Sequence, residues 1–176
     1  MRFDRSSSPE VGRLLAMLTA ARPRGRLAEI GTGCGVGTAW IASALGPEAM
    51  FVTVENDEER AAAVGRLFAE LPGLRVLQGD WQALLPPEAP FDLVFFDGGY
   101  WKKGDVAAES EQALELVAPG GVVVIDDMTP EALWPEEWRG RPDQAREFWL
   151  EDPRLRAVEI LTTPRTAAIL ATKITN

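Results

Sequence analysis

The stretch Leu27 to Ala42, LAEIGTGCGVGTAWIA, constrains this chain more than any other. It opens as a short apolar run, carries glycine at alternate positions (Gly31, Gly33, Gly35, Gly37), and resumes a helical pattern at Thr38. That order predicts a buried strand, a tight loop and the first turn of a helix. Glycines let the main chain take positive φ and let a ligand approach it, while a helix start offers free N–H groups. The loop is the expected seat of a small molecule.

Spacing bears on which molecule. The dinucleotide pattern GxGxxG fails, because the third glycine would fall on Val36 or on Thr38. What stands instead is acidic-x-G-x-G-x-G, from Glu29 to Gly35. A carboxylate just before the loop repels a pyrophosphate and suits the ammonium and sulfonium of S-adenosylmethionine.

The same alternation continues along the chain. Ser8-Pro9 reads as a cap and first helical position for a helix ending near Ala21. Strands are expected at Leu27 to Ile30, Ala49 to Val54, Leu74 to Leu77, Phe91 to Phe96 and Val122 to Ile125. Helices are expected at Thr38 to Leu45, Asp57 to Leu71 and Val106 to Leu116. Such alternation implies a parallel sheet with helices on both faces. After an irregular, tryptophan-rich excursion from Thr129 to Pro142, a helix is expected from Gln144 to Leu150. Strands Ala157 to Thr162 and Thr166 to Thr172 then follow, too closely joined to be anything but antiparallel. The expectation is a Rossmann-like, doubly wound α/β fold: a mainly parallel seven-stranded sheet ending in an antiparallel hairpin, as one domain over residues 1–176.

Composition excludes several chemistries. The chain has no histidine, which removes the usual general base, the serine triad and the commonest metal ligand. Cys34 is the only cysteine, so no disulfide forms within the chain, and its place among small loop residues suggests packing. A net charge of −9 argues against a nucleic-acid partner. The opening MRFDRSSSPE has no apolar core and no later run is long enough to span a membrane, so a cytoplasmic protein without a membrane partner is expected.

The carboxylates carry more information than the strands. Glu29, Glu55, Asp80, Asp97, Asp126 and Asp127 all stand at or just beyond strand ends. In an open parallel sheet those ends share one rim, where ligands bind.

On these residues the chain resembles the class I S-adenosylmethionine-dependent methyltransferases. The carriers are EIGTGCG at Glu29 to Gly35, Glu55, Gly79-Asp80-Trp81, FDLVFFDGG and LVAPGGVVVIDD. The chain is most similar to the small-molecule O-methyltransferases of catechol and caffeoyl-CoA type, from about Ser8 to Asp127. The resemblance implies that Glu29, Gly31 and Gly33 meet the methionine end of the cofactor, that Glu55 binds both ribose hydroxyls, and that Asp80 and Trp81 meet the adenine. Thr32, Gly35, Asn56, Gly79 and Asp97 complete the implied cofactor-contacting set. It also implies a divalent ion, Mg²⁺ or else Mn²⁺ or Ca²⁺, on Asp97, Asp126 and Asp127, with Asp127 standing where that family usually has asparagine. Catalysis would fall to Asp97 and Lys102, although Tyr100 stands where relatives of catechol type place a lysine; Lys103 also lies nearby. The partner implied is a small-molecule methyl acceptor. Trp134, Trp138 and Trp149 lie where the family builds acceptor walls, and the short N-terminal cover leaves room for a homodimer to complete the site. A metal-independent methyltransferase, a cofactor-binding protein without turnover, a nicotinamide oxidoreductase and an aminopropyltransferase remain the alternatives.

Overall fold

The structure is a computed structural model that describes residues 6–98 and 105–174. Seven strands form one sheet in the order β3-β2-β1-β4-β5-β7-β6. They are β1 (Arg26–Ile30), β2 (Met50–Glu55), β3 (Leu74–Gln78), β4 (Phe91–Phe96), β5 (Val117–Met128), β6 (Leu155–Thr163) and β7 (Thr166–Lys173). β1 to β5 are parallel, and β7 runs antiparallel to both β5 and β6. The expected hairpin is present, and the order reverses at β1 and β4, where a doubly wound sheet opens its ligand crevice.

Alternation along the strands builds two cores. Leu27, Phe51, Leu93, Phe95 and Val124 face helices α1 (Pro9–Ala20) and α2 (Val36–Ser43), burying Val11, Leu15 and Ile41. On the other face, Ala28, Ile30, Val52, Val94, Phe96 and Ile125 meet α4 (Trp81–Leu84), α5 (Val106–Glu115) and α6 (Gln144–Glu151). Helix α3 (Glu58–Leu67) covers β2 and β3. No helix among the described residues is long and apolar enough to cross a membrane.

Several boundaries differ from expectation for local reasons. Helix α2 starts at Val36 rather than Thr38, because Gly35 takes the capping position at φ 83°. Helix α3 unwinds after Leu67, because Pro72 disfavours helical backbone at the residue before it and the chain turns through Phe68 to Leu71. β5 is far longer than Val122 to Ile125, since Val117 already pairs with Phe91 and a register shift absorbs Pro119 to Gly121. The short helix α4 was not foreseen; Asp80 caps it, its Oδ1 accepting from the Gln82 N–H at 3.0 Å. Two 3₁₀ turns, Glu131–Leu133 and Glu136–Trp138, lie in the segment expected to be irregular.

Candidate active site

The ladder continues past the strand ends and fixes the rim. The Gly31 and Thr32 amides donate to the Val54 carbonyl, the Asp97 amide to Ile30, and the Gly79 amide to Glu55. Four strand tips are thereby held side by side. Gly31 turns at φ 96°, and a Cβ there would come within 3.0 Å of the Asp97 main chain. Only glycine allows the loop after β1 to lie this close to the tip of β4.

Beneath the loop lies a buried polar network. Glu29 pairs across the ladder with Thr53, on the sheet face that carries α2. Its Oε2 accepts from Thr38 Oγ1 at 2.5 Å and from Thr53 Oγ1 at 2.6 Å. Thr53 has one hydroxyl proton and gives it to Glu29, so Thr32 must be the donor in its 2.5 Å contact with Thr53. Oε1 has no hydrogen-bond partner among the described residues and lies where a Cβ on Gly37 would fall, at 2.4 Å. Burial pushes this carboxyl up to about 7 against the pull of the two threonines, and the Glu55 charge adds to the rise.

Glu55 ends β2 above this network. Its Oε2 accepts from the Gly33 amide at 2.8 Å, its Oε1 from the Asp57 amide at 3.0 Å, and Arg60 pairs with Oε1 at 3.1 Å. One carboxylate thus ties the glycine loop to the start of α3. Asn56 and Asp80 are exposed beside it.

At the tips of β4 and β5 the charge balance is different. Phe96 pairs with Ile125, so Asp97 and Asp126 stand next to each other just beyond the paired ends. Strict alternation would send Asp127 to the opposite face. Instead it adopts φ 62°, the β5–β7 register shifts between Ile125 and Met128, and one oxygen from each of the three carboxylates lies within 4.8 Å of the others. Burial first, then the charges of Asp126, Asp127 and Glu29, push Asp97 up to about 8; a 3.4 Å hydrogen bond from Ser7 opposes this. Burial and the Asp127 charge push Asp126 up to about 6, against a backbone hydrogen bond from Asp127. Three convergent hard oxygens with unpaid repulsion fit a divalent cation, so the donor set passes the chemical test for one.

Residues 28–128 match the family described as Methyltransferase domain. The chain belongs to that family. It is 34% identical over 127 residues to a catechol O-methyltransferase of Mycobacterium tuberculosis, a match covering 69% of this chain and 56% of that protein. The chain spans about half the length of the curated relatives it matches. Among solved structures, the O-methyltransferase TomG from Streptomyces achromogenes, involved in tomaymycin synthesis and held in complex with S-adenosylmethionine, superposes with a TM-score of 0.76 at 26% identity. That match covers 98% of this chain and 83% of the other. Cofactor-bound Rv0187 from MTB gives a TM-score of 0.80 at 26% identity, covering 99% and 84%.

In this methyltransferase domain the sequence-predicted residues do not all gather in one place. Gly31, Gly33, Glu55, Asn56, Gly79, Asp80, Asp97, Asp126 and Asp127 meet at one rim as expected. Glu29, Thr32 and Gly35 do not face it: Glu29 is 0% exposed, so it braces the loop from below rather than meeting a ligand. Trp81, 9% exposed, packs edge-to-face on Phe96 with centroids 5.5 Å apart, which is mainly a core role. Trp149 is wholly buried and forms no acceptor wall, whereas Trp134 and Trp138 line a cavity. Cys34 is exposed at the loop instead of packed. Lys102, with Tyr100 and Lys103, lies outside the described residues. Reading the sequence missed Ser7 on Asp97, Arg60 on Glu55 and the whole environment of Arg146. The Ser7 contact and the Thr129 and Glu159 contacts of Arg146 join elements apart in the chain, whereas Arg60 follows Glu55 on the next element and Asp143 caps the helix that carries Arg146.

Proposed function

We propose that this methyltransferase domain transfers the methyl group of S-adenosylmethionine to a hydroxyl oxygen of a small molecule, with a divalent cation held by Asp97, Asp126 and Asp127. The convergence of those three carboxylates against the glycine loop carries the reading. In this reading Glu55 has one acceptor position left, on Oε2, for a ribose hydroxyl, Asn56 and Asp80 flank the nucleoside, and Gly31 and Gly33 let the main chain approach the methionine end. Glu29, Thr38 and Thr53 hold the loop against the helix behind it.

S-adenosylmethionine supplies an electrophilic methyl carbon: as its bond to the acceptor oxygen forms, the carbon–sulfur bond breaks, the electron pair stays on sulfur, and the hydroxyl proton leaves to a base. A divalent cation such as Mg²⁺ would lower the pKa of that hydroxyl and orient it for in-line attack. The carboxylates fix the oxygen at the tips of β4 and β5, next to the loop. The close approach of Gly31 to the Asp97 main chain sets how near donor and acceptor come. A metal-independent route has one observation in its favour: with its pKa pushed up to about 8, Asp97 can itself hold the departing proton near neutral pH.

Calorimetric titration of S-adenosylhomocysteine, alone and with Mg²⁺ and catechol, tests the proposal. Micromolar-range binding, with a catechol heat that requires Mg²⁺, is expected. No binding of S-adenosylhomocysteine would overturn the cofactor, and a catechol heat indifferent to Mg²⁺ would leave the metal-independent route.

A further inference from the structure

The segment between β5 and α6 is tied down at both ends by a buried arginine. Arg146, with 7% of its side chain exposed, donates through Nε and Nη2 to Glu159 at 2.7 and 3.0 Å, through Nη1 to Asp143, and through Nη2 to the Thr129 carbonyl at 2.6 Å. Its guanidinium lies 5.3 Å from the centre of the Trp134 ring, whose Nε1 donates to the same Thr129 carbonyl at 3.0 Å. Thr129 lies two residues beyond Asp127. The network that holds Trp134 therefore anchors on the residue that follows β5, the strand that carries Asp126 and Asp127.

Against this segment lies a cavity of about 330 Å³, lined by Val106, Trp134, Trp138, Arg141 and Asp143 among others. Its volume suits a molecule built on a single ring. Val106 opens the helix that follows β4, and the remaining lining follows β5, so both walls continue the two strands whose tips bear Asp97, Asp126 and Asp127. Trp138 is 49% exposed, an apolar surface left for something to cover.

The charges in the cavity do not cancel. Asp143 is fully engaged, Oδ1 by the Ala145 and Arg146 amides and Oδ2 by the Arg146 guanidinium. Arg141 forms no ion pair among the described residues. In a chain of net charge −9, this cavity presents a positive charge that has no ion-pair partner among the described residues, beside two indole rings.

We infer that this cavity takes the body of the methyl acceptor, and that Arg141 selects a ring-based acceptor bearing a carboxylate. The inference rests on the O-methyl transfer reading, with the acceptor hydroxyl at the carboxylate cluster and its anionic substituent at Arg141. A guanidinium binds a carboxylate by two parallel hydrogen bonds, which a neutral acceptor cannot use and an ammonium opposes.

The test compares 3,4-dihydroxybenzoate, catechol and dopamine on the wild type, Arg141→Gln and Arg141→Glu. Binding is read from tryptophan fluorescence, and turnover from methyl transfer. The carboxylate should bind tightest, and Arg141→Gln should weaken it about tenfold, far more than it weakens catechol. In turnover the same loss should appear in KM and not in kcat, and Arg141→Glu should invert the preference toward dopamine. Equal affinities for the three compounds, or a carboxylate affinity indifferent to Arg141, would overturn the inference while methyl transfer to catechol stood. Charge-dependent binding without any methyl transfer would uphold the selectivity and overturn the reading beneath it.

Discussion

At the β1 end of the rim, one buried carboxylate, Glu29, is held by two threonine hydroxyls on a single oxygen. At the β4–β5 end, three carboxylates crowd within 4.8 Å, and the only side-chain donor to Asp97 among the described residues is Ser7, at 3.4 Å. The first region is a scaffold in which Oε2 of Glu29 is satisfied by the chain, while Oε1 has no hydrogen-bond partner among the described residues. The second is short of positive charge, and burial first, then mutual repulsion, raises the pKa values of Asp97 and Asp126. The difference lies in spacing: Glu29 stands behind the loop with two donors on one oxygen, whereas the three carboxylates at β4 and β5 face one another.

The largest effect is expected at Asp97. Asp97→Ala should cut methyl transfer by about 10²-fold or more while raising thermal stability above neutral pH, since it removes a destabilising charge. Initial rates and melting curves measured together check this; a variant both inactive and less stable would make Asp97 structural. Around Glu29 the opposite pattern is expected. Thr53→Val should leave Glu29 one donor short and cost about 1–3 kcal/mol in chemical denaturation, with little change in the carboxylate chemistry.

Proton linkage sharpens the contrast. Folding raises Asp97 from 3.8 to about 8 and Asp126 from 3.8 to about 6. Their contribution is fully present below the unfolded value and is lost as pH rises through the folded ones. Without a divalent cation, melting temperatures should therefore fall between pH values of about 4 and about 8, and Mg²⁺ should restore most of the loss at the alkaline end. A melting profile identical with and without Mg²⁺ would remove the cation from this site. The smallest effect is expected at Asp127→Asn, because asparagine tolerates the left-handed backbone at φ 62° as well as aspartate does and still offers an oxygen. Mg²⁺-dependent rates within about threefold of the wild type check that expectation.

Most of the sheet was legible because its signals are local. The apolar runs, the glycines of the β1 loop and the acids at strand ends all lie within single elements, and Asp97 beside Asp126 follows from two adjacent parallel strands. The depth of Glu29 was not legible, since a strand-end acid reads alike whether it faces a ligand or a helix from behind. Asp127 was legible through the family resemblance alone, since strict alternation sends it to the opposite face and the register shift against β7 turns it toward its neighbours. The role of Arg146 depends on Thr129, Asp143 and Glu159 meeting in space. No period or motif in the sequence announces that meeting.

The most direct test of the account is transfer of a labelled methyl group from S-adenosylmethionine to catechol, measured with Mg²⁺, with a chelator, and with Mg²⁺ restored. The account predicts methylated product with Mg²⁺, loss of turnover on chelation, and recovery when the cation returns. Equal rates under all three conditions, or no product with Mg²⁺ present, would contradict it.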